Sequence, residues 1–248
     1  MSDREHPLAR GGTVATPWDP VYAGTAYASS RGALGWSAVL LGQTAGGRPV
    51  LFDTGGPGDR QTLPDRLRRR GLEADDVAVV VLSHLHFDHA SNWDLFGRAE
   101  IIVGEPDLAH AEDGSDWAVL RDVVASLRKS GRLRVVRGPE SLDAVLDVVP
   151  APGHTPGSIA VVSRGTVLCG DALKNRWQLA GALARSAAER DETETTIVDL
   201  ATRAERLWPG HDSPLARRGG HWVPESEHRV RLHRPDGHLV WITSGPEG

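Results

Sequence analysis

The segment VAVVVLSHLHFDHASNW, residues 77–93, constrains this chain more than any other. Its opening run is continuously apolar and rich in β-branched residues, without the alternation of a sheet that faces water on one side. A strand of that kind is covered on both faces, so the fold must place layers above and below it. Directly behind it stand three of the chain's 11 histidines and an aspartate (His84, His86, Asp88 and His89). Side chains that ligate metals or move protons are thereby set at the end of a buried strand, where loops collect functional groups.

Strands and helices alternate through the rest of the chain. LGWSAVLL (34–41) and RPVLFDTGG (48–56) are predicted to be paired strands joined by GQTAGG, followed by a short helix in TLPDRLRRRGL. ASNWDLF is predicted to be a short helix, AEIIVGE (99–105) a strand, and residues 116–131 an amphipathic helix stopped by glycine. LDVVPAPGH runs from strand into loop, and GSIAVVSRGTVLCGD forms a hairpin turning at Arg164-Gly165. A helix over about 192–207 leads into WPGHDSP, and HRVRLHRPDGHLVWI (228–242) is a terminal hairpin turning at Pro235-Asp236-Gly237. Residues 1–30 carry no sustained period and form an irregular leading segment, while residues 212–248 form a hairpin extension. The expected class is α/β, with sheets covered by helices and the site along one edge.

With 248 residues and 40% hydrophobic content, the chain can bury a sizeable core as a single domain over 1–248. A net charge of −5 gives no basic excess, which speaks against nucleic acid as a partner. No apolar run nears the ~18 residues of a membrane span. The N-terminal MSDREHPLARGG lacks the charged-then-apolar pattern of a secretory signal, so a cytoplasmic protein without membrane association is expected. The single cysteine, Cys169, excludes an internal disulfide and any zinc site built from several thiolates, leaving metal binding to histidine and carboxylate.

In an extended backbone His84 and His86, two positions apart, project the same way and can share one metal. Asp88 and His89 follow where the chain turns, aimed toward a neighbouring point. A histidine-rich turn alone is ordinarily a polar loop, but ligand-type residues recur in matching contexts. His154 lies in PGHTPGS, Asp171 closes TVLCGD, and His211 sits in WPGHD, each in a glycine-flanked loop after a predicted element. Five imidazoles and two carboxylates suit a pair of adjacent divalent ions.

The ordered set DTG, HLHFDH, PGHTPGS, CGD and PGHD resembles the metallo-β-lactamase superfamily, over roughly Asp53 to His211. The resemblance implies a four-layer αβ/βα sandwich with a dinuclear site on one edge of two packed sheets. It implies that His84, His86 and His154 hold a first metal, that Asp88, His89 and His211 hold a second, and that Asp171 bridges them. Asp53 would hydrogen-bond a ligand and fix its orientation. The implied cofactors are two zinc ions; iron or manganese could take their place, because these ligands do not select zinc uniquely.

Such a site hydrolyses a bond with water activated between the ions, and Asp88 is the candidate to orient that water and carry a proton to the leaving group. The expected substrate is a small-molecule ester, lactone or thioester. A phosphodiester hydrolase on the same core and a catalytically idle metal-binding protein are the alternatives. The related lactonases place a tyrosine three residues after the bridging aspartate, where this chain has Lys174, one of its two lysines; Lys174 is therefore a candidate for binding an anionic group on the substrate. Trp93, Trp177 and Trp208 are candidate walls of a pocket, with core packing as the alternative. Cys169, two residues before Asp171, is expected to be a small buried hydrophobe rather than a ligand.

Overall fold

Val79–Val81 is a strand with every side chain buried, and its two faces enter two different cores. Val80 packs with Leu51, Ile101 and Val103 on one side, while Val79 and Val81 pack with Val50, Phe52 and Ile102 on the other. That double burial is the physical reason for an unbroken valine run. The computed structural model describes residues 18–25, 27–30, 32–226, 228–233, 235–236 and 238–244.

The first sheet contains β1 (Asp19–Tyr22), β4 (Val39–Gln43), β5 (Pro49–Phe52), β6 (Val79–Val81), β7 (Glu100–Gly104) and β8 (Leu133–Val136), in that spatial order. Its strands are antiparallel as far as β5 and parallel from β5 to β8. A small hairpin, β2 (Ala28–Ser29) and β3 (Gly32–Ala33), lies between β1 and β4 in the chain. The second sheet runs from β9 (Glu140–Asp143) through β10 (Leu146–Pro150), β11 (Ile159–Ser163), β12 (Thr166–Gly170), β13 (Arg206–Pro209) and β14 (Leu215–Arg218) to β15 (His221–Pro224). Only its β12–β13 pair is parallel. A separate ladder joins β16 (His228–His233) to β17 (Leu239–Ser244).

The helices α1 (Leu63–Arg68), α2 (Phe87–Ala90), α3 (Glu105–Asp113), α4 (Val123–Lys129), α5 (Arg176–Ala184) and α6 (Glu192–Thr202) complete the layers. Leu63, Leu67, Leu108 and Leu127 seal the outer face of the first sheet, and Leu179, Ile197 and Leu200 seal that of the second. Between the sheets lie Phe52, Val148, Ile159, Leu168 and Trp208. Burial of each such large side chain contributes roughly 1.5–3 kcal/mol. The order is therefore helix, sheet, sheet, helix, as the motifs imply. No helix among the described residues is long and apolar enough to cross a membrane.

Several expected boundaries move. The strand expected over 34–41 begins only at Val39, and the strand expected over 48–56 stops at Phe52, because Asp53 takes a left-handed backbone with φ 59°. The helix expected in ASNWDLF is replaced by α2, which starts at Phe87, and a 3-10 turn, Trp93–Leu95; Asp88 and His89 thus sit on a helical turn. The helix expected over 116–131 is only Val123–Lys129: Asp122 has φ 61°, and the preceding residues bend back so that Val119 bridges to His86. The helix expected over 192–207 ends at Thr202, and Arg206–Pro209 becomes a strand beside β12.

The leading segment is not irregular throughout, since Asp19–Tyr22 pairs with β4; residues 1–17 lie outside the described residues. Within 212–248, β14 and β15 extend the second sheet instead of standing apart, while β16 and β17 form the expected hairpin, whose turn residue Gly237 is outside the described residues.

Candidate metal centre

The C-terminal ends of β5, β6, β12 and β13 converge on one edge of the sandwich. Ser83 O accepts the Ile159 N–H at 2.8 Å, tying the two sheets beside the site. Two glycines permit the approach. Gly170 has φ 50°, and a methyl there would overlap the Ser83 side chain; at Gly210 it would overlap the Asp171 carboxylate.

Two trios of ligand-type atoms form around this edge: His84, His86 and His154, and Asp88, His89 and His211. Asp171 stands between them. Its Oδ1 is 3.2 Å from His89 Nε2 and 3.1 Å from His211 Nε2, while its Oδ2 is 3.3 Å from His154 Nε2. One carboxylate oxygen thus faces each trio. Asp88 Oδ2 lies 3.4 Å from His211 Nε2 and 3.9 Å from His89 Nε2.

Four of the five histidines, His84, His86, His89 and His211, are anchored through one ring nitrogen and turn the other toward the trios. His89 Nδ1 donates to Asp53 Oδ2 at 2.8 Å. Ser83 Oγ donates to the same oxygen at 2.9 Å, so it accepts from His84 Nδ1, also at 2.9 Å. His211 Nδ1 faces the Trp36 carbonyl at 3.1 Å. His86 is anchored through Nε2, on Asp116 at 2.9 Å, and its Nδ1 stands 3.0 Å from His154 Nε2. Among the described residues, the buried Nε2 atoms of His84 and His89 and Oδ1 of Asp171 have no hydrogen-bond partner. Buried polar atoms left open in this way call for a cation, and the donor set of imidazoles and carboxylates fits divalent metal ions.

The electrostatics agree. Burial holds the His84 imidazole well below its usual range, and burial pushes His154 down to about 4, leaving both neutral with a lone pair to offer. For His89, burial alone would lower the value, but the carboxylates of Asp171 and Asp53 outweigh it and hold it well above its usual range. Burial of Asp171 is likewise outweighed by His211 and His89, which keep it well below the usual carboxylate range. Carboxylates that hold a proton on a buried imidazole also favour a divalent cation in the same place.

The family model of the metallo-beta-lactamase superfamily matches residues 32–223. The chain belongs to that superfamily. It is 31% identical over 176 residues to metallo-beta-lactamase domain-containing protein 1 of Xenopus laevis, covering 67% of each protein. A 71-residue stretch is 42% identical to the N-acyl homoserine lactonase AiiB of Agrobacterium fabrum, 26% of each chain. The fold also matches AidC, a dizinc quorum-quenching lactonase, with a TM-score of 0.56 at 20% identity, over 77% of this chain and 80% of that one. The chain is accordingly a metallo-hydrolase of this superfamily, with His/Asp groups placed to bind metal.

All seven ligand candidates and Asp53 come together, and Lys174 Nζ lies 3.4 Å from Asp171 Oδ2 at the edge of a cavity of about 390 Å³. None of the three candidate tryptophans walls the cavity, and core packing holds for Trp93 and Trp208. Trp93 is in the outer core under Arg132 and Trp208 is between the sheets, while Trp177 is exposed and does not line the cavity. Tyr27, Phe87 and Trp117 line it instead. Cys169 faces the helix-side core, and burial pushes its thiol upward; the backbone turn at Gly170 separates it from Asp171.

Sequence reasoning missed four residues. Ser83 links Asp53 to His84, and Asp107 accepts the Leu85 N–H at 2.7 Å, holding the peptide between the two histidines. Asp116 anchors His86, and Asp212 clamps Arg176 next to His211. Ser83 and Asp212 had adjacent signals, in SHLH and PGHD; Asp107 and Asp116 are brought in by tertiary structure alone.

Proposed function

We propose that the chain works as one domain, a dinuclear zinc hydrolase that cleaves an ester, lactone or thioester bond in a small molecule. The observation that carries this reading is the Asp171 carboxylate, with one oxygen toward each trio of ligand-type side chains. His84, His86 and His154 would hold one ion and Asp88, His89 and His211 the other. Two such ions supply polarisation of the scissile carbonyl and acidify a water toward a pKa of ~7.

The chain's own groups complete the chemistry. Asp88 lines the cavity and lies within 3.4 Å of His211, placed to orient the attacking water and return its proton to the leaving group. Lys174 supplies positive charge on the cavity wall, suited to a substrate carboxylate or a developing oxyanion. Phe87 and Trp117, with ring centroids 6.1 Å apart, offer an apolar surface on the same cavity. A carbonyl substrate with an apolar portion and a polar or anionic head matches this lining. Similarity to two lactonases supports a lactone in particular.

Elemental analysis of protein purified without chelators should find close to two zinc ions per chain. A panel of p-nitrophenyl esters, lactones, thioesters and bis-p-nitrophenyl phosphate should show carbonyl substrates turned over fastest. Negligible metal with no activity regained on adding zinc would defeat the proposal, and fastest turnover of the phosphodiester would transfer it to phosphoryl chemistry.

A further inference from the structure

The loop between α3 and α4 carries an arrangement that neither trio needs for its own completeness. Asp116 Oδ2 accepts from His86 Nε2 at 2.9 Å and lies 3.1 Å from His110 Nε2, while its Oδ1 accepts the Ala118 N–H at 2.9 Å. The loop is also stitched to the turn that bears the ligand candidates. Phe87 N–H donates to Ala118 O at 2.8 Å, and Val119 bridges to His86. Backbone hydrogen bonds therefore set where this carboxylate sits relative to the His86 ring.

His86 differs from the other ligand candidates in which nitrogen is open. His84, His89 and His211 are anchored through Nδ1, whereas His86 is anchored through Nε2 and turns Nδ1 toward His154. A neutral imidazole carries one proton, and a carboxylate against one nitrogen keeps the proton there, leaving the lone pair on the other. In water both tautomers are accessible, so a His86 without that carboxylate would spend part of its time with a proton aimed into the first trio.

We propose that Asp116, backed by His110, is a positioning residue that holds His86 in the Nε2–H tautomer and so makes Nδ1 its ligating atom. The inference rests on the metal-centre reading above. Asp116 lines the cavity beside Trp117 and acts through the His86 ring. The same three groups, His86, His110 and Asp116, also lie close enough to hold a separate ion. Separations of 2.9 and 3.1 Å with a proton to donate are those of hydrogen bonds, and an ion there beside one on Nδ1 would require His86 to give up its last ring proton.

The test uses the full chain, stripped of metal and titrated with cobalt(II), with affinity read by chelator competition and ligand geometry by the visible spectrum. Asp116→Ala should weaken the first ion by about 10–100-fold and alter the spectrum, as loss of an outer hydrogen-bond partner does. Asp116→Asn, whose amide oxygen still accepts from Nε2–H, should recover most of that loss, and His110→Gln should lose less than Asp116→Ala. Independently, ¹⁵N NMR of the unsubstituted metal-free protein should show the neutral His86 imidazole protonated on Nε2 and the neutral His84 imidazole on Nδ1; this measurement decides the matter if the alanine variant does not fold. His86 protonated on Nδ1, an Asp116→Ala protein with unchanged cobalt affinity and spectrum, or a third ion lost on that substitution would each overturn the proposal. An unsubstituted protein that binds no cobalt would instead defeat the metal-centre reading itself.

Discussion

Two carboxylates, Asp53 and Asp116, support the ligand candidates in opposite ways. On the inner side, Asp53 is 1% exposed and anchors His89 directly and His84 through Ser83, all within the meeting edge of the two sheets. On the outer side, His86 leans on Asp116, whose side chain keeps 21% of its exposure and sits on a loop with Trp117, itself 84% exposed. The same pairing of carboxylate and imidazole thus appears once in the core and once at the surface. In the core a carboxylate is costly to bury and must satisfy several donors, so stability and orientation are joined; at the surface orientation is separable from stability.

The sharpest way to break this contrast is to remove what the two sides share. Asp171→Ala takes away the carboxylate facing both trios, and turnover should fall by at least about a thousandfold, about 4 kcal/mol of transition-state stabilisation, with metal lost from both positions. Kinetics and elemental analysis on one preparation would show it; full retention of either ion with near-normal turnover would make the trios independent.

Next comes the buried anchor. Asp53→Ala strands three donors, Ser83 N–H, Ser83 Oγ and His89 Nδ1, and places alanine at φ 59°. It should cost about 3 kcal/mol of stability in a denaturant titration, on top of lost metal. The matching change at Asp116 should cost less than about 1 kcal/mol of stability, as partly exposed pairs do. Equal costs would erase the distinction between inner and outer support.

Lys174→Ala probes the outer rim at smaller scale. KM for anionic substrates should rise roughly tenfold, about 1.4 kcal/mol, with neutral substrates little changed. An equal effect on both kinds would remove Lys174 from recognition. Smallest of all, Cys169→Ala leaves a slight void in the helix-side core, costing about 1 kcal/mol of stability with metal content and turnover intact. Loss of metal in that variant would mean that the thiol reaches the site after all.

The layers and most ligand candidates were legible because their signals are local. A valine run records double burial at each of its own positions, and the spacing of His84, His86, Asp88 and His89 records the turn that bears them. The Arg164-Gly165 turn was equally plain, both residues having positive φ. The helix expected over 116–131 failed because Val119, Leu120, Val123, Val124 and Leu127 keep a helical period whether or not residues 116–122 are helical. Those residues spend their apolar side chains on the same core while the backbone pairs with His86.

By itself, then, the sequence determined which side chains can ligate, in what order they meet, and that the strand before them lies between layers, because burial and side-chain chemistry are properties of each residue and its neighbours. Only the tertiary structure decided which nitrogen of each imidazole is open. That depends on acceptors far along the chain: Asp53 stands 36 residues from His89, Asp116 stands 30 from His86, and the Trp36 carbonyl stands 175 from His211. A hydrogen bond is satisfied by distance in space, and no local pattern encodes a carboxylate or carbonyl that arrives from another layer of the fold.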